Sequence, residues 1–362
     1  MSCLGGDAKT MADPDDDGSS LDVSLDHTLH NADDSNEGLM RKVSIGEMLQ
    51  LAAREADPPG RWLMQEELQR AKPSMKVLQE LLRVNPRRAS TGNGQGSLPL
   101  HICAANIHSI DSAVLGLVLE AYPEGISTDN SFGLLPIHKA MLAPVLASTA
   151  PRIDHIERLI TLFPAGLWRG TKERQVPLHL SLKAPRPIEQ LVELLLEKYP
   201  EAAAIKDSHG HLPLHKLCAK RPCEDVINVV SSLLEAHPPG AVEQDHTGRT
   251  PLHWAVSCRD KPNLEILGEL LEVAPQAVLV LDNDGFKPIS RLMNRGNDRC
   301  GACCLLLAQT EESELKKKFE AKRLMDSKAV SNRDVKKLHN KKHFNLDDAG
   351  HFGREDAPAP RK

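Results

Sequence analysis

The sequence predicts an all-α solenoid of about seven helix–loop–helix units joined by β-hairpin-like connectors. A tetrapeptide of the type LPLH occurs at 98–101, 135–138, 176–179, 212–215 and 250–253, with an altered sixth copy at 287–290. A second proline follows each apolar stretch and always lies 13 residues before the next tetrapeptide proline. Self-similarity at a period of about 36–41 residues is typical of stacked repeats.

Each unit is predicted to contain two helices. A proline fits the first turn of a helix, where its missing N–H costs nothing, so the tetrapeptide marks the start of the first helix. The second helix carries an apolar pair four and five residues before its closing proline, as in Leu233/Leu234 before Pro238. That pair and further apolar residues one turn earlier predict a buried helical face.

The connectors carry a turn signal. Asp or Asn stands three residues before Gly in five of them, as in Asp245 and Gly248. Asp or Asn starts a turn and Gly adopts the positive φ that closes it. The connector at 164–177 has Thr171 and Arg174 at these positions, so we expect an irregular turn there.

The stretch DHTGRTPLH at 245–253 closely resembles the ankyrin repeat, and the resemblance covers about 62–310. The LPLH spelling and the Tyr122-Pro123 and Tyr199-Pro200 pairs are similar to a variant found in algal ankyrin-repeat proteins. The resemblance implies that the aligned histidines tie neighbouring hairpins together through hydrogen bonds. A shared metal ion is excluded, because successive repeats lie about 10 Å apart. The residues of this structural motif are Pro99, His101, Pro136, His138, Pro177, His179, Pro213, His215, Pro251 and His253.

Four regions are expected along the chain. Residues 1–40 hold ten acids and one base and should be disordered. Residues 41–61 should form an N-terminal capping helix, with a capping box of Ser44 and Glu47. The ankyrin repeat domain spans 62–310, and 311–362 is a charged, partly helical, basic tail in which a coiled coil is possible.

The resemblance implies a non-enzymatic scaffold or adaptor that binds a protein partner through the concave groove. No phosphate loop, nucleophile elbow, HExxH motif or carboxylate pair with catalytic context is apparent, so we expect no cofactor, metal or small-molecule substrate. Trp254 is predicted to pack between repeats, and Trp168 is an extra contact candidate. The predicted partner-binding residues at the hairpin tips are Phe132, Leu134, Lys172, Glu173, His209, His211, His246, Arg249, Asp284 and Phe286.

Two alternative readings come from the C-terminal part. Residues 315–343 hold eleven bases and three acids, which would suit a nuclear regulator whose tail contacts nucleic acid or import factors. Cys300 and Cys303, with His339 and His343, would suit a zinc or redox site. We favour core packing for the cysteines, because Cys300, Cys303, Cys304 and Leu307 share one helical face.

The remaining expectations concern modification and surroundings. Ser44 and Ser90 each follow a pair of basic residues at the spacing used by basophilic kinases. The formal net charge is only −5, so nucleic acid is an unlikely ligand for the whole chain. With no signal peptide or membrane span recognised in the sequence, we expect a cytoplasmic protein, with the nucleus as the alternative location. We also expect the chain to be a monomer.

Overall fold

The computed structural model describes residues 44–54, 57–58, 61–143, 152–184, 187–220, 224–257, 262–294 and 301–323. All regular structure in these ranges is helical, and seven helix pairs stack as an all-α solenoid. The first helices are α2 (Leu63–Leu68), α4 (Pro99–Ala105), α6 (Pro136–Met141), α8 (Pro177–Ser181), α10 (Pro213–Cys218), α12 (Pro251–Val256) and α14 (Pro288–Asn294). The second helices are α3 (Met75–Val84), α5 (Ser112–Ala121), α7 (Ile153–Leu162), α9 (Glu189–Lys198), α11 (Glu224–Ala236), α13 (Leu264–Val273) and α15 (301–323).

One further helix precedes the repeats. Helix α1 (Ile45–Ala52) is shorter than expected, but its capping box is present: the Ser44 hydroxyl accepts from the Glu47 N–H, and the Glu47 carboxylate accepts from the Ser44 N–H. Met48 and Ala52 bury the inner side of α1 against the repeats. The expected acidic segment 1–40 lies outside the described residues.

The closing prolines end the second helices through the residue before them. Proline clashes with a helical conformation of its predecessor, which is pushed into extended backbone. All six predecessors have φ between −140° and −152°. Each proline then begins a short 3₁₀ helix, which the sequence analysis did not foresee. These turns are Pro86–Ser90, Pro123–Ser127, Pro164–Leu167, Pro200–Ala204, Pro238–Ala241 and Pro275–Leu279.

The core is aliphatic and runs through all units. The first member of every apolar pair predicted on the second helices is at most 2% exposed. These residues are Leu81, Val118, Leu159, Leu195, Leu233 and Leu270. Each first helix also packs on the first helix of the next unit, so burial is shared between neighbours. No helix among the described residues combines the length and apolar character needed to cross a bilayer.

The connectors contain no strand in the described ranges; each is one tight turn. In the turn at 245–249 the Asp245 N–H donates to the Arg249 carbonyl at 2.9 Å, and the Asp245 carboxylate accepts from the backbone N–H of Thr247 and Arg249. Gly248 has a φ of +76°, and the equivalent glycines have φ between +70° and +79°. The turn chemistry is therefore the predicted one.

The irregular turn expected at 164–177 is not seen. The Thr171 N–H donates to the Gln175 carbonyl at 2.9 Å and the Arg174 N–H donates to the Thr171 carbonyl at 2.8 Å, as in the other connectors. Arg174 itself adopts the positive φ, +60°, that glycine adopts elsewhere. Neighbouring units impose the turn, so the cost of the missing glycine appears as backbone strain instead of a changed geometry.

Arg174→Gly should therefore stabilise the fold. Removing the Cβ relieves a left-handed conformation that costs an L-residue about 1–2 kcal/mol, less the entropy that glycine gains in the unfolded chain. We expect a net gain of about 1 kcal/mol in the free energy of unfolding, measured by urea denaturation. Arg174→Ala is the control, because it removes the charge and keeps the Cβ. An equal gain from both variants would show that backbone strain is not the cause.

Candidate protein-interaction surface

The tetrapeptide histidines connect each unit to the next. The Nδ1 atoms of four of them accept the backbone N–H three residues earlier, at 3.1 Å. Each Nε2 atom donates to a carbonyl in the next connector, at 2.8–3.2 Å. The accepting carbonyls belong to Leu134, Arg169, His211, Arg249 and Phe286. The Nδ1 bonds fix the start of the first helix in four units, and the Nε2 bonds fix the position of the following connector in all five.

These imidazoles are held neutral. Burial lowers the pKa of His101, His179 and His215 to about 4, and it also lowers the pKa of His138 and His253. A neutral ring can accept at Nδ1 while donating from Nε2, which is the arrangement found. No group of three or more potential metal ligands occurs in the part of the chain that the structure describes.

The hairpin tips are bonded to one another. Ser131 N–H donates to the Gln95 carbonyl, and Ser208 N–H donates to the Glu173 carbonyl. His246 N–H and Asn283 N–H donate to the tips before them, at 3.1 and 3.0 Å. A row of tips that is cross-linked in this way holds its exposed side chains at fixed spacing.

Most predicted partner-binding residues are accessible on these tips. Phe132 and Phe286 are 38% and 37% exposed. Lys172, His209, His246 and Asp284 are also exposed, whereas Glu173, His211 and Arg249 are half-buried. The residues that offer an open face are therefore the six exposed ones.

Leu134 is the exception and corrects the sequence analysis. Its side chain is 5% exposed and belongs to the interior, while its carbonyl accepts the hydrogen bond from His101. A side chain so placed cannot contact a partner. Ser97 and Gln175, at the equivalent position of two other connectors, are also buried, each 1% exposed.

A row of carboxylates behind the tips holds side chains of the first helices. Asp207 faces Lys216 at 3.4 Å, Asp245 accepts from the Trp254 indole N–H at 2.8 Å, and Asp282 accepts from the Arg291 guanidinium at 2.6 Å. In each pair the second residue follows the first by nine positions. Sequence analysis missed Lys216 and Arg291, although this repeated spacing was the available signal.

His211 sits at the centre of this row. Its ring nitrogens lie 3.5 Å from the Asp207 carboxylate and 3.4 Å from the Asp245 carboxylate. The ring centroids of His211 and Trp254 are 5.3 Å apart, in a T-shaped arrangement. Burial alone would lower its pKa, but the two carboxylates outweigh burial and raise it. Burial would raise the pKa of Asp207 and Asp245; the bonds from His211 and its neighbours instead hold both well below the usual range. Trp254 thus packs between repeats as predicted.

Two further aromatic contacts shape the surface. Phe286 carries the Arg291 guanidinium 4.8 Å from its ring centroid, a cation–π geometry that leaves the outer side of the ring free. Trp168 is 53% exposed and rests against Tyr199, with ring centroids 6.0 Å apart. Equivalent connectors carry no second tryptophan, so Trp168 is a singular feature of this surface.

The remaining sequence candidates have structural roles where they are described. Cys303 is 3% exposed and its Sγ lies 3.7 Å from the Pro262 carbonyl, while Cys300, His339 and His343 lie outside the described residues. Ser44 caps α1. Ser90 is exposed, but Arg88, half of its basic pair, is 4% exposed and bound within the fold.

Comparison with known proteins agrees with the repeat geometry. A family model of ankyrin repeats matches residues 178–277 in three copies. A search of curated protein sequences gave no match. Among solved structures, a chain from the complex of the Bdellovibrio bacteriovorus predatory endopeptidase Bd0816 with the immunity protein Bd3460 aligns at 11% identity and a TM-score of 0.47, covering 60% of this chain and 98% of that one.

Proposed function

We propose that this ankyrin-repeat protein is a non-enzymatic scaffold or adaptor that binds a protein partner through the concave groove of its hairpin tips and first helices. Ankyrin repeats are a protein–protein interaction module, and three copies are matched in this chain. The proposed partner is a folded protein or a peptide that contacts several tips at once.

The observation that carries the proposal is the row of exposed side chains on tips that bond to each other. Phe132, His209 and Phe286 are exposed on connectors whose backbones are already fixed. A rigid surface loses little conformational entropy on binding, and aromatic rings on such a surface are frequent binding hot spots. The aligned histidines support the non-enzymatic part, since their ring nitrogens are used inside the fold.

The test is a variant that changes only exposed tip residues, Phe132→Glu/His209→Glu/Phe286→Glu. The full chain and the variant are compared as affinity baits, and a captured protein is then purified and titrated by calorimetry. We expect binding to weaken by at least about tenfold, because each substitution places a carboxylate where an aromatic contact forms.

A matched control changes apolar residues of similar exposure on the second helices, Leu162→Glu/Leu264→Glu/Val273→Glu. These side chains are 54%, 45% and 42% exposed and lie away from the tips. The control should bind like the native chain. Equal loss in both variants, or no loss in the tip variant while circular dichroism stays native, would refute the groove as the binding surface.

A further inference from the structure

Helix α15 extends beyond the repeats. Cys303 and Leu307 are 3% and 0% exposed and fill the place of a second helix in the last unit. Glu314 is the last buried residue of the helix, and every residue from 315 to 323 is exposed. No closing proline follows Leu307, so the helix continues: Glu311 still pairs with Lys287 of the last unit, and the exposed stretch 315–323 extends for more than two further turns.

The outward side of α15 carries an apolar stripe. Leu305, Leu315 and Phe319 are 59%, 49% and 69% exposed, and Ala308 is exposed between them. Positions 305, 308, 312, 315, 319 and 322 alternate by three and four residues, which is the a and d spacing of a coiled-coil seam. Four of the six are apolar, and the other two are Glu312 and Lys322.

We propose that two copies of the chain associate through α15 as an antiparallel helix pair. The apolar stripe is the side that the pair buries, and the repeats remain free on the opposite side of the helix. This surface is separate from the hairpin tips, so the proposal does not depend on the groove. It replaces the monomer expected from the sequence.

The charges along α15 favour a second copy and set its direction. A parallel pair in register would place Glu312 against Glu312 and Lys322 against Lys322. An antiparallel pair centred between residues 313 and 314 instead places Phe319 on Ala308, Leu315 beside the Glu312 stem, and the Lys322 stem over Leu305. At the flanking positions, Lys318 of each copy then lies beside Glu311 of the other, whose carboxylate also pairs with Lys287 of its own chain.

A membrane surface fits the same stripe less well. Glu312, Lys316 and Glu320 line the shallow notch that contains Leu315 and Phe319, so two carboxylates border the apolar side. On a membrane, the carboxylates beside Leu315 and Phe319 would lie against anionic headgroups, which is unfavourable. The mixed charge of residues 311–318, three Glu followed by three Lys, suits a partner with the same pattern reversed.

Sedimentation velocity of the full chain tests the proposal across a concentration range of about 1–100 μM. We expect the mass to rise from 39.8 kDa toward twice that value. Leu315→Ser/Phe319→Ser should remain monomeric over the same range, with unchanged circular dichroism of the repeats because both side chains are exposed. Leu162→Ser, which changes a 54% exposed leucine on the distant helix α7, should dimerise like the native chain.

A charge reversal tests the direction. Lys318→Glu should weaken dimerisation at least about tenfold, because it meets Glu311 in the antiparallel pair, and Lys317→Glu, which points away from the seam, should change it little. A monomer at every concentration, or a dimer that Leu315→Ser/Phe319→Ser leaves intact, would overturn the proposal. So would native chain that stays monomeric while α15 binds anionic phosphatidylserine vesicles.

Discussion

Lowering the pH from 6.5 to 4 should strongly destabilise the repeats. Three histidines that connect neighbouring units have pKa values of about 4 in the folded chain, because they are buried. In the unfolded chain their pKa returns to about 6.5. The residues are His101, His179 and His215.

The direction follows from which state binds protons first. Between pH 6.5 and 4 the unfolded chain protonates these rings while the folded chain does not, so unfolding becomes easier as the pH falls. The stabilising contribution of the three neutral rings is complete above pH 6.5. Its loss levels off near pH 4, where the rings also become protonated in the folded chain. Each ring can account for roughly 3 kcal/mol at most, since one pKa unit corresponds to about 1.4 kcal/mol.

Other groups do not cancel this effect. The pKa of His211 is raised, so its contribution has the opposite sign: it is present below pH 6.5 and is lost as the pH rises through the folded pKa. This single contribution is outweighed by the three rings with a pKa of about 4 and by His138 and His253, whose pKa is also lowered. The carboxylates Asp207 and Asp245 lose their contribution only as the pH falls below about 4, outside this interval.

Urea denaturation followed by circular dichroism at pH 7, 6, 5 and 4 measures the effect. His179→Gln should reduce the pH slope by up to one proton, at the cost of a lower stability at pH 7. The exposed His209 provides the matched control, because His209→Gln should leave the slope unchanged. A native chain with the same free energy of unfolding at pH 7 and pH 4 would contradict the prediction.

The sequence predicted the features that are set locally. The tetrapeptide prolines and the closing prolines fix helix starts and ends because proline restricts its own φ and the residue before it. The aligned glycines fix the turns because glycine adopts a positive φ without steric cost. The match of residues 178–277 to a family model of ankyrin repeats confirmed the repeat interpretation for that part of the chain.

The sequence could not predict features that depend on distant neighbours. Leu134 was placed on the surface because of its register, yet its environment buries it. Arg174 keeps a regular turn because the surrounding units dictate it. Helix α15 runs through the boundary expected at residue 310, since no proline ends it there. For Leu134 and Arg174 the outcome depends on packing between units and not on local propensity.

Arg88 is the clearest such case. Its neighbour Arg87 is exposed, and the pair was interpreted as part of a kinase site. The structure buries Arg88 and surrounds its guanidinium with acceptors: the Asp57 carboxylate at 2.7 Å, and the carbonyls of Ala52, Leu81 and Arg54 at 3.3, 3.0 and 2.7 Å. This one side chain therefore joins the end of α1 to the last turns of α3.

Asp57 extends the connection to the next helix. Its second carboxylate oxygen accepts the Leu63 N–H at 3.0 Å, at the start of α2. The N-terminal cap, the first helix and the second helix of the first unit thus converge on one ion pair. Repeat arrays depend on such terminal caps to shield the end of the core.

Arg88→Met should consequently cost about 3 kcal/mol or more of the free energy of unfolding, and α1 should lose its amide protection first. The substitution keeps much of the aliphatic stem but removes the guanidinium donor from Asp57 and from three carbonyls. Removing one partner of a buried ion pair typically costs about 3–5 kcal/mol. Arg87→Met is the matched control and should change stability by less than about 0.5 kcal/mol. Urea denaturation measures the total, and hydrogen exchange of α1 measures the local release. If α1 stays protected in Arg88→Met, the cap is held by Met48 and Ala52 packing instead of by this ion pair.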